Sequence, residues 1–377
     1  MTLTPFLLAL SLAQTTPAAD PAAAAAQPAP APVKAAPTLA GALANAPKPT
    51  FWGFVNAQYS RTEGLNGADD TSSFEIRRAR IGARGKVHDL VGYSLLFDGA
   101  DSKLKDAYAS VFALPGVEVR MGQWKTPFGY EQYESDTKLL WVNSSYVVAS
   151  LARGVDSRDL GAGLLVQTPK LGPVSAEVLG SFVNGAGPNK KDDLETKNFW
   201  GRAGLTLKLP SITLKAGGSY GTGQQVQATG ANGAFDGVGT PVDDTYFYFH
   251  TYGADATLDT PWFFAAAELI QSERDQSRYA TAAAVTTATR TSRTARGWYA
   301  GAYGKTPWNL GPIFRAERFD ADRSAPGGRL ERYTLGAYVD VVPVNARLIL
   351  NHELDQGQTG AAGRNGDRTT LFAQVIF

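Results

Sequence analysis

The 377-residue sequence contains no cysteine, so it can form neither a disulfide framework nor a thiolate metal site. It also lacks any run approaching the roughly 20 apolar residues that a membrane-spanning helix needs, although 44% of its residues are hydrophobic. The formal net charge is only +1, whereas a general nucleic-acid binder would be strongly basic. These absences exclude a helical membrane protein but not one that crosses the membrane with strands.

The first 50 residues are expected to lie apart from the folded domain. Residues 1–13 contain an apolar core followed by small residues, as in a secretory signal peptide, although no Lys or Arg precedes that core. A short buried helix is the alternative for this stretch. Residues 14–50 consist mainly of Ala, Pro, Gln and Thr and lack the apolar bulk needed to fold. We expect a signal peptide, a disordered periplasmic segment, and a folded domain over residues 51–377.

The folded domain divides into about 16 stretches of β character. Short links alternate with longer polar or Gly-rich links, of which residues 126–157 form the longest. A meander with tight periplasmic turns and long extracellular loops produces this rhythm, as in outer-membrane barrels. An even strand number then places both termini in the periplasm. The predicted strands are 51–61, 71–87, 90–98, 104–114, 117–125, 158–168, 173–183, 198–208, 211–221, 244–258, 261–272, 295–305, 312–320, 330–342, 344–354 and 368–377.

Alternation within the strands supports a sheet with one apolar and one wet face. In the last predicted strand, Leu371 and Val375 fall on one face, and Thr370 and Gln374 on the other. A soluble sandwich would alternate in the same way. The signal sequence, the link rhythm and the terminal Phe377 together favour an all-β fold, a transmembrane antiparallel barrel of about 16 strands.

Two segments resemble the phosphate-selective porin O and P family. They are FEIRRARIG at 74–82 and VEVRMGQWKTPFG at 117–129, and KDAY at 105–108 and ARGVDSRDLG at 152–161 follow the family's usual order. The resemblance covers most of residues 51–377. It implies an outer-membrane porin, usually a trimer, with the third long loop folded into the pore, and phosphate or other anions among its solutes.

The second predicted strand carries a column of cations on one face. Ile81 and its neighbours on the opposite face suit lipid, where a cation near the midplane would cost about 2–4 kcal/mol. The cations therefore belong in the lumen, either as an anion-attracting ladder or as partners that neutralise luminal acids such as Asp98, Asp106, Glu118 and Glu268. The predicted pore-lining ladder consists of Arg78, Arg80, Arg84, Lys86 and Arg120.

The link at 126–157 is predicted to fold inward and narrow the lumen. Its apolar clusters at 139–142 and 146–148 are too hydrophobic for a freely solvated loop. Basic candidates at this constriction are Lys125, Lys138, Arg153 and Arg158. The loop nevertheless leans acidic, which favours weak anion preference or little selectivity; its acids are Glu131, Glu134, Asp136 and Asp156.

Two other classes of function compete with a passive channel. A barrel hydrolase needs a nucleophile and a base, but the three histidines, His88, His250 and His352, stand in no nucleophile motif. A structural anchor or adhesin could use the Ala/Pro-rich segment and the long loops. We expect no enzyme activity, no catalytic residue, no metal and no cofactor. The expected partners are small anionic or neutral solutes, outer-membrane lipid, the barrel-assembly machinery acting on Phe377, and two further copies of the chain, but no nucleic acid. The expected location is the outer membrane of a Gram-negative-type bacterium.

Overall fold

A computed structural model describes residues 48–65, 67–152, 157–169, 171–192, 196–226, 246–279, 288–324, 328–357 and 366–377. The predicted signal peptide and nearly all of the Ala/Pro-rich segment lie outside these residues. The described strands are β1 Thr50–Thr62, β2 Thr71–His88, β3 Val91–Asp98, β4 Lys103–Leu114, β5 Val117–Lys125, β6 Arg158–Gln167, β7 Val174–Val183, β8 Asn198–Lys208, β9 Thr213–Val226, β10 Tyr246–Asp259, β11 Phe263–Tyr279, β12 Ala288–Gly304, β13 Leu310–Asp320, β14 Arg329–Val342, β15 Ala346–Gly357 and β16 Arg368–Ile376. One helix, α1, spans Tyr146–Leu151.

The 16 strands form one closed antiparallel barrel in which each strand pairs with its neighbours along the chain. Closure joins β1 to β16, with Val55 opposite Val375. It continues beyond β16, where Gly53 and Phe377 exchange two backbone hydrogen bonds of 2.9 Å. The predicted fold class and strand number are therefore confirmed. Closure leaves no unpaired sheet edge, which a barrel in lipid requires.

The two faces of the barrel differ as the alternation predicted. On β2, Arg80 points inward and is 4% exposed, whereas Ile81 points outward and is 55% exposed. On β16, Thr370 is buried inside while Leu371 is half exposed outside. An apolar exterior around a polar interior is the arrangement of a barrel that sits in a membrane and encloses water.

Among the described residues, no helix is long and apolar enough to cross a membrane.

Some links differ from the prediction. The stretch 273–294 was predicted as a loop, but β11 continues to Tyr279 and β12 begins at Ala288, and the two strands pair over this whole length. The link at 99–103 was predicted as one of the longer ones, but β4 begins at Lys103 and leaves a four-residue turn at 99–102. The sequence of the extension does not carry an apolar residue at every second position, so alternation did not mark it as strand.

Candidate functional site: the pore constriction

The longest link, residues 126–157 (hereafter the inner loop), lies inside the barrel and contains α1. Ser145 caps this helix, its Oγ accepting a hydrogen bond from Val148 N (3.3 Å). The apolar side chains of the loop are buried in two clusters with inward-facing residues of β7, β8 and β10–β16. Trp141 packs on Tyr299 of β12, with their ring centroids 6.2 Å apart. The loop therefore crosses the lumen with one side pressed against the wall.

Buried charges on β13 and β14 hold the backbone of the inner loop just before α1. Arg315 Nη1 donates to Asn143 O (2.9 Å), and Arg332 Nη2 donates to Ser144 O (2.6 Å). Both guanidiniums also bind Glu317, at 3.0 and 2.7 Å. Since the three charged side chains are buried, this network orients hydrogen-bond donors toward the loop in a setting where water competes little.

A buried pair of carboxyl groups joins the inner loop to β11. Glu131 N and Tyr299 OH both donate to Glu268 Oε2, at 3.2 and 3.1 Å, and Ser145 N donates to Glu131 Oε1 (2.8 Å). The second oxygen of each carboxyl group has no hydrogen-bond partner among the described residues. Burial raises the pKa of the Glu131 carboxyl, and nearby Arg315 and the Ser145 N–H lower it only in part. The hydrogen bonds that Glu268 accepts, although this acid was expected to neutralise luminal cations, thus come from a backbone N–H and a tyrosine hydroxyl group.

An opening with a cavity volume of about 320 Å³ remains between the inner loop and the wall of β1–β6. On the opposite side of Asp136, the cavity lined by Trp141 and Phe372 measures only about 20 Å³. The larger of these two cavities is the candidate path past the loop. Its charged lining comprises four cations and three carboxylates: Arg80, Arg120, Lys125, Arg158, Asp106, Glu134 and Asp136.

The cations of β2 meet one carboxylate of the inner loop. Arg80 Nη1 lies 2.8 Å from Asp136 Oδ2, and Arg78 Nε lies 3.2 Å from the same oxygen. Lys125 Nζ is 3.8 Å from the other oxygen of Asp136. Arg80 also binds Asp98 on β3 through its Nε, at 2.7 Å. Ion pairs thus attach the inner loop to the basic side chains of β2 and β5.

Two further cations of the opening have carboxylate partners on the wall. Arg120 binds Glu118 with two hydrogen bonds of 2.6 and 2.9 Å, both residues lying on β5. Arg158 Nε lies 2.6 Å from Asp106 Oδ1. Together with Asp98, these are three of the four acids that were expected to neutralise the luminal cations, and all three contact them.

The remaining predicted candidates lie away from the opening. Arg84 and Lys86 continue the inward face of β2 but are exposed and do not line the narrow path. Lys138 is 66% exposed and binds Glu134 of the same loop at 2.9 Å. Arg153 is outside the described residues.

The sequence analysis did not name the two arginines that hold the loop before α1, and strict alternation placed a third inward-facing cation, Arg77, on the lipid face. The pairing of β1 with β2 shifts between Asn56 and Ala57, which makes Arg77 the extra residue of a β-bulge. Its Nη1 donates to Gln58 Oε1 (3.0 Å) and to Asn143 Oδ1 of the inner loop (2.9 Å). Strict alternation would have placed this guanidinium in lipid at a cost of about 2–4 kcal/mol. That cost was the one signal in the sequence for a bulge.

None of the three histidines lines the opening. His88 is exposed at the end of β2. His250 Nδ1 lies 2.9 Å from Tyr220 OH on an aromatic part of the wall, and His352 Nδ1 lies 2.9 Å from Thr369 Oγ1. Over the parts of the chain that the structure describes, no group of His, Asp and Glu has a metal-binding arrangement.

A closed barrel with an apolar exterior, a charged interior and a loop across its lumen defines the class of protein: a porin. The family model of phosphate-selective porin O and P matches residues 52–338, and the chain belongs to this family. It is an outer-membrane diffusion channel of a Gram-negative bacterium.

Solved porin structures share the fold at low sequence identity. The anion-selective porin from Comamonas acidovorans aligns with a TM-score of 0.60 and 13% identity, covering 88% of this chain and 99% of that one. OmpF from Salmonella typhi, in complex with daunomycin, aligns with a TM-score of 0.57 and 13% identity, covering 88% of this chain and 98% of that one. A loop-deletion form of OmpT from Vibrio cholerae aligns with a TM-score of 0.57 and 10% identity, covering 88% of this chain and 99% of that one. No curated protein sequence matches the chain.

Proposed function

We propose that this porin passes small anionic or neutral hydrophilic solutes with a weak preference for anions, including phosphate. The observation that carries the proposal is the lining of the opening, where four cations face three carboxylates. Low-dielectric walls focus the field of fixed charges into a water path, so a small positive excess raises the local concentration of anions. The preference is weak because those cations are ion-paired.

The charge of the whole barrel agrees with a weak preference. Two of the 36 basic residues, Lys34 and Lys48, and one of the 35 acidic residues, Asp20, precede residue 51, which leaves 34 of each sign in the barrel domain. Selectivity must then come from the local arrangement at the opening. The Comamonas acidovorans porin, which shares this fold, is described as anion-selective, and this supports the proposal.

The proposal is tested by replacing Arg78, Arg80 and Arg84 together with Gln. We expect the reversal potential in a KCl gradient across a planar bilayer to shift to a value that indicates greater cation selectivity, because Asp98 and Asp136 then lose cationic partners. The shift should be partial, since other cations of the opening remain, and should shrink at high salt as screening grows.

Arg318→Gln is the matched control, because Arg318 faces outward and is 46% exposed. This variant should keep the native reversal potential. A triple variant that folds into a heat-modifiable barrel and keeps native selectivity at low salt would contradict the anion preference.

The same proposal assigns the chain no catalytic role and no role as a plugged anchor or adhesin. It is supported by the open path of about 320 Å³ and by histidines that lie apart from that path. Bilayer conductance separates the classes, since a tether with a closed lumen conducts nothing. Hydrolysis of a lipid or peptide substrate by the purified barrel would revive the enzyme alternative.

For assembly, the proposal includes a homotrimer embedded in outer-membrane lipid. Support for the trimer comes from another protein, OmpT of Vibrio cholerae, of which a trimer form is known at 11% identity and a TM-score of 0.53. The outward faces of the strands carry many exposed large apolar side chains, which suit lipid contact. Chemical cross-linking in the native membrane would count the subunits.

Phe377 is proposed as the residue that the barrel-assembly machinery reads. It continues the outward row of β16 and is 64% exposed, while its backbone is bound to Gly53. Deleting Phe377 should lower the amount of heat-modifiable barrel in the outer membrane and leave export unchanged. Phe377→Tyr, which keeps an aromatic end, should assemble normally. Equal amounts of barrel from the deletion and the native chain would refute this role.

A further inference from the structure

Three cations from two strands converge on a single carboxylate in the narrow part of the pore. Arg80 Nη1 and Arg78 Nε lie 2.8 and 3.2 Å from Asp136 Oδ2, and Lys125 Nζ lies 3.8 Å from Oδ1. The Asp136 side chain is 4% exposed. Guanidinium and ammonium groups bind carboxylate and phosphate oxygens with the same charge-assisted hydrogen bonds. The three cations thus form an anion site, and a carboxylate of the chain occupies it.

The carboxylate comes from the inner loop, while its cationic partners come from the barrel wall. The two other described acids of the loop are engaged differently. Glu134 binds Lys138 of the same loop. Glu131 is buried and accepts a hydrogen bond from Ser145 N. Asp136 is therefore the acid of the loop that neutralises cations of the barrel wall.

We propose that Asp136 acts as an internal ligand in an oxyanion site formed by Arg78, Arg80 and Lys125, and that it keeps this channel weakly selective by excluding phosphate from the site. The inference rests on the proposed function and names the residue that limits its selectivity. The class of ligand excluded is a small oxyanion, of which inorganic phosphate is the probe.

The loop has anchors besides Asp136, so removing the charge should not release it. Lys125 Nζ donates to Glu134 O (2.7 Å), and Gln374 Nε2 donates to Thr137 O (3.1 Å). The network around Arg315 holds the loop further along. Asp136→Asn removes the negative charge and keeps the size and one acceptor oxygen. A vacant or weakly held anion site should then remain among the cations.

The test uses the full-length porin carrying Asp136→Asn in planar bilayers. We expect its reversal potential in a KCl gradient to shift to a value that indicates greater anion selectivity. We also expect millimolar inorganic phosphate to reduce its chloride conductance at concentrations that leave the native channel unaffected. Both effects should weaken at high salt, because screening reduces the field of the unmasked cations. Adding Arg78→Gln to Asp136→Asn should remove most of the phosphate effect.

Asp70→Asn is the matched control, since it makes the same change at an exposed aspartate that binds Arg61 (2.8 Å) and does not line the opening. It should leave phosphate without effect on the current. The inference is overturned if folded Asp136→Asn shows native selectivity and no phosphate effect, or if Asp70→Asn produces the same phosphate effect. If Asp136→Asn fails to fold, Asp136→Ser is measured with the same criteria.

The outcomes separate this inference from the proposed function. A native channel without anion preference that becomes phosphate-sensitive in Asp136→Asn refutes the weak preference and supports the masked site. A native channel with anion preference that is unchanged in Asp136→Asn supports the preference and refutes the masked site.

Discussion

Excising residues 130–150 and joining the ends with a short Gly/Ser linker should raise the single-channel conductance several-fold. These residues include most of the loop's buried apolar side chains and all of α1 except Leu151, and they fill the lumen against the barrel wall. The path that remains beside them has a cavity volume of about 320 Å³. Conductance follows the narrowest cross-section, so removing the loop should expose most of the barrel interior to the current. Single-channel recording in KCl measures the change.

The barrel is expected to fold without the loop. The wall charges that the loop covers are paired with one another, as in Arg332 with Glu317 (2.7 Å) and Arg368 with Glu353 (2.7 Å), and water would hydrate them once the loop is gone. Heat modifiability checks folding. A folded excision variant with native conductance would show that the inner loop is not the constriction.

Replacing Arg332 with Met should destabilise the barrel by about 3–5 kcal/mol, because it leaves carboxylates in a buried setting with less positive charge. Arg332 is 4% exposed and contacts Glu317 at 2.7 Å and Glu353 at 3.7 Å. It also holds Ser144 O, and its guanidinium lies 4.2 Å from the Tyr146 ring centroid. The loop should loosen as well, and we expect a noisier open-channel current. Urea unfolding in lipid vesicles measures the loss.

Arg318→Gln serves as control here too, because Arg318 lies on the neighbouring strand β13 but faces outward. Its partner Glu331 is 3.8 Å away and both side chains are partly exposed. An exposed pair of this kind contributes less than about 1 kcal/mol. Equal losses in the two variants would mean that the buried network adds nothing beyond an ordinary surface pair.

Alternation and turn residues predicted the strands closely where one face of the strand is apolar. β5 and β8 begin and end at the predicted residues, 117–125 and 198–208. Both cross the region where outward residues meet lipid and inward residues meet water, so the period of two is visible in the sequence. The predicted strands of the β11–β12 hairpin were too short, because the sequence beyond 272 and before 295 shows no apolar alternation. The bulge at Arg77 was missed because alternation assumes one residue per step.

The site was predicted in its composition but not in its contacts. Arg78, Arg80, Arg120, Lys125 and Arg158 do lie inside the barrel near the opening or in contact with Asp136. Their partners could not be read from the chain, because the barrel brings together residues far apart in sequence. Asp136 reaches Arg80 across 56 positions, and Asn143 meets Arg315 across 172.

The sequence by itself determined the strand number, the order of the links and, outside the bulge at Arg77, the inward and outward faces of the strands, because these depend on a local period of two and on the solvent at each face. Only the tertiary structure decided which charges neutralise each other, which side of the lumen the inner loop covers and where the open path remains. Those outcomes depend on closure, on one bulge in β2 and on packing of the loop against the wall. Electrostatic pairing acts over a few ångströms, and only the folded barrel sets those distances.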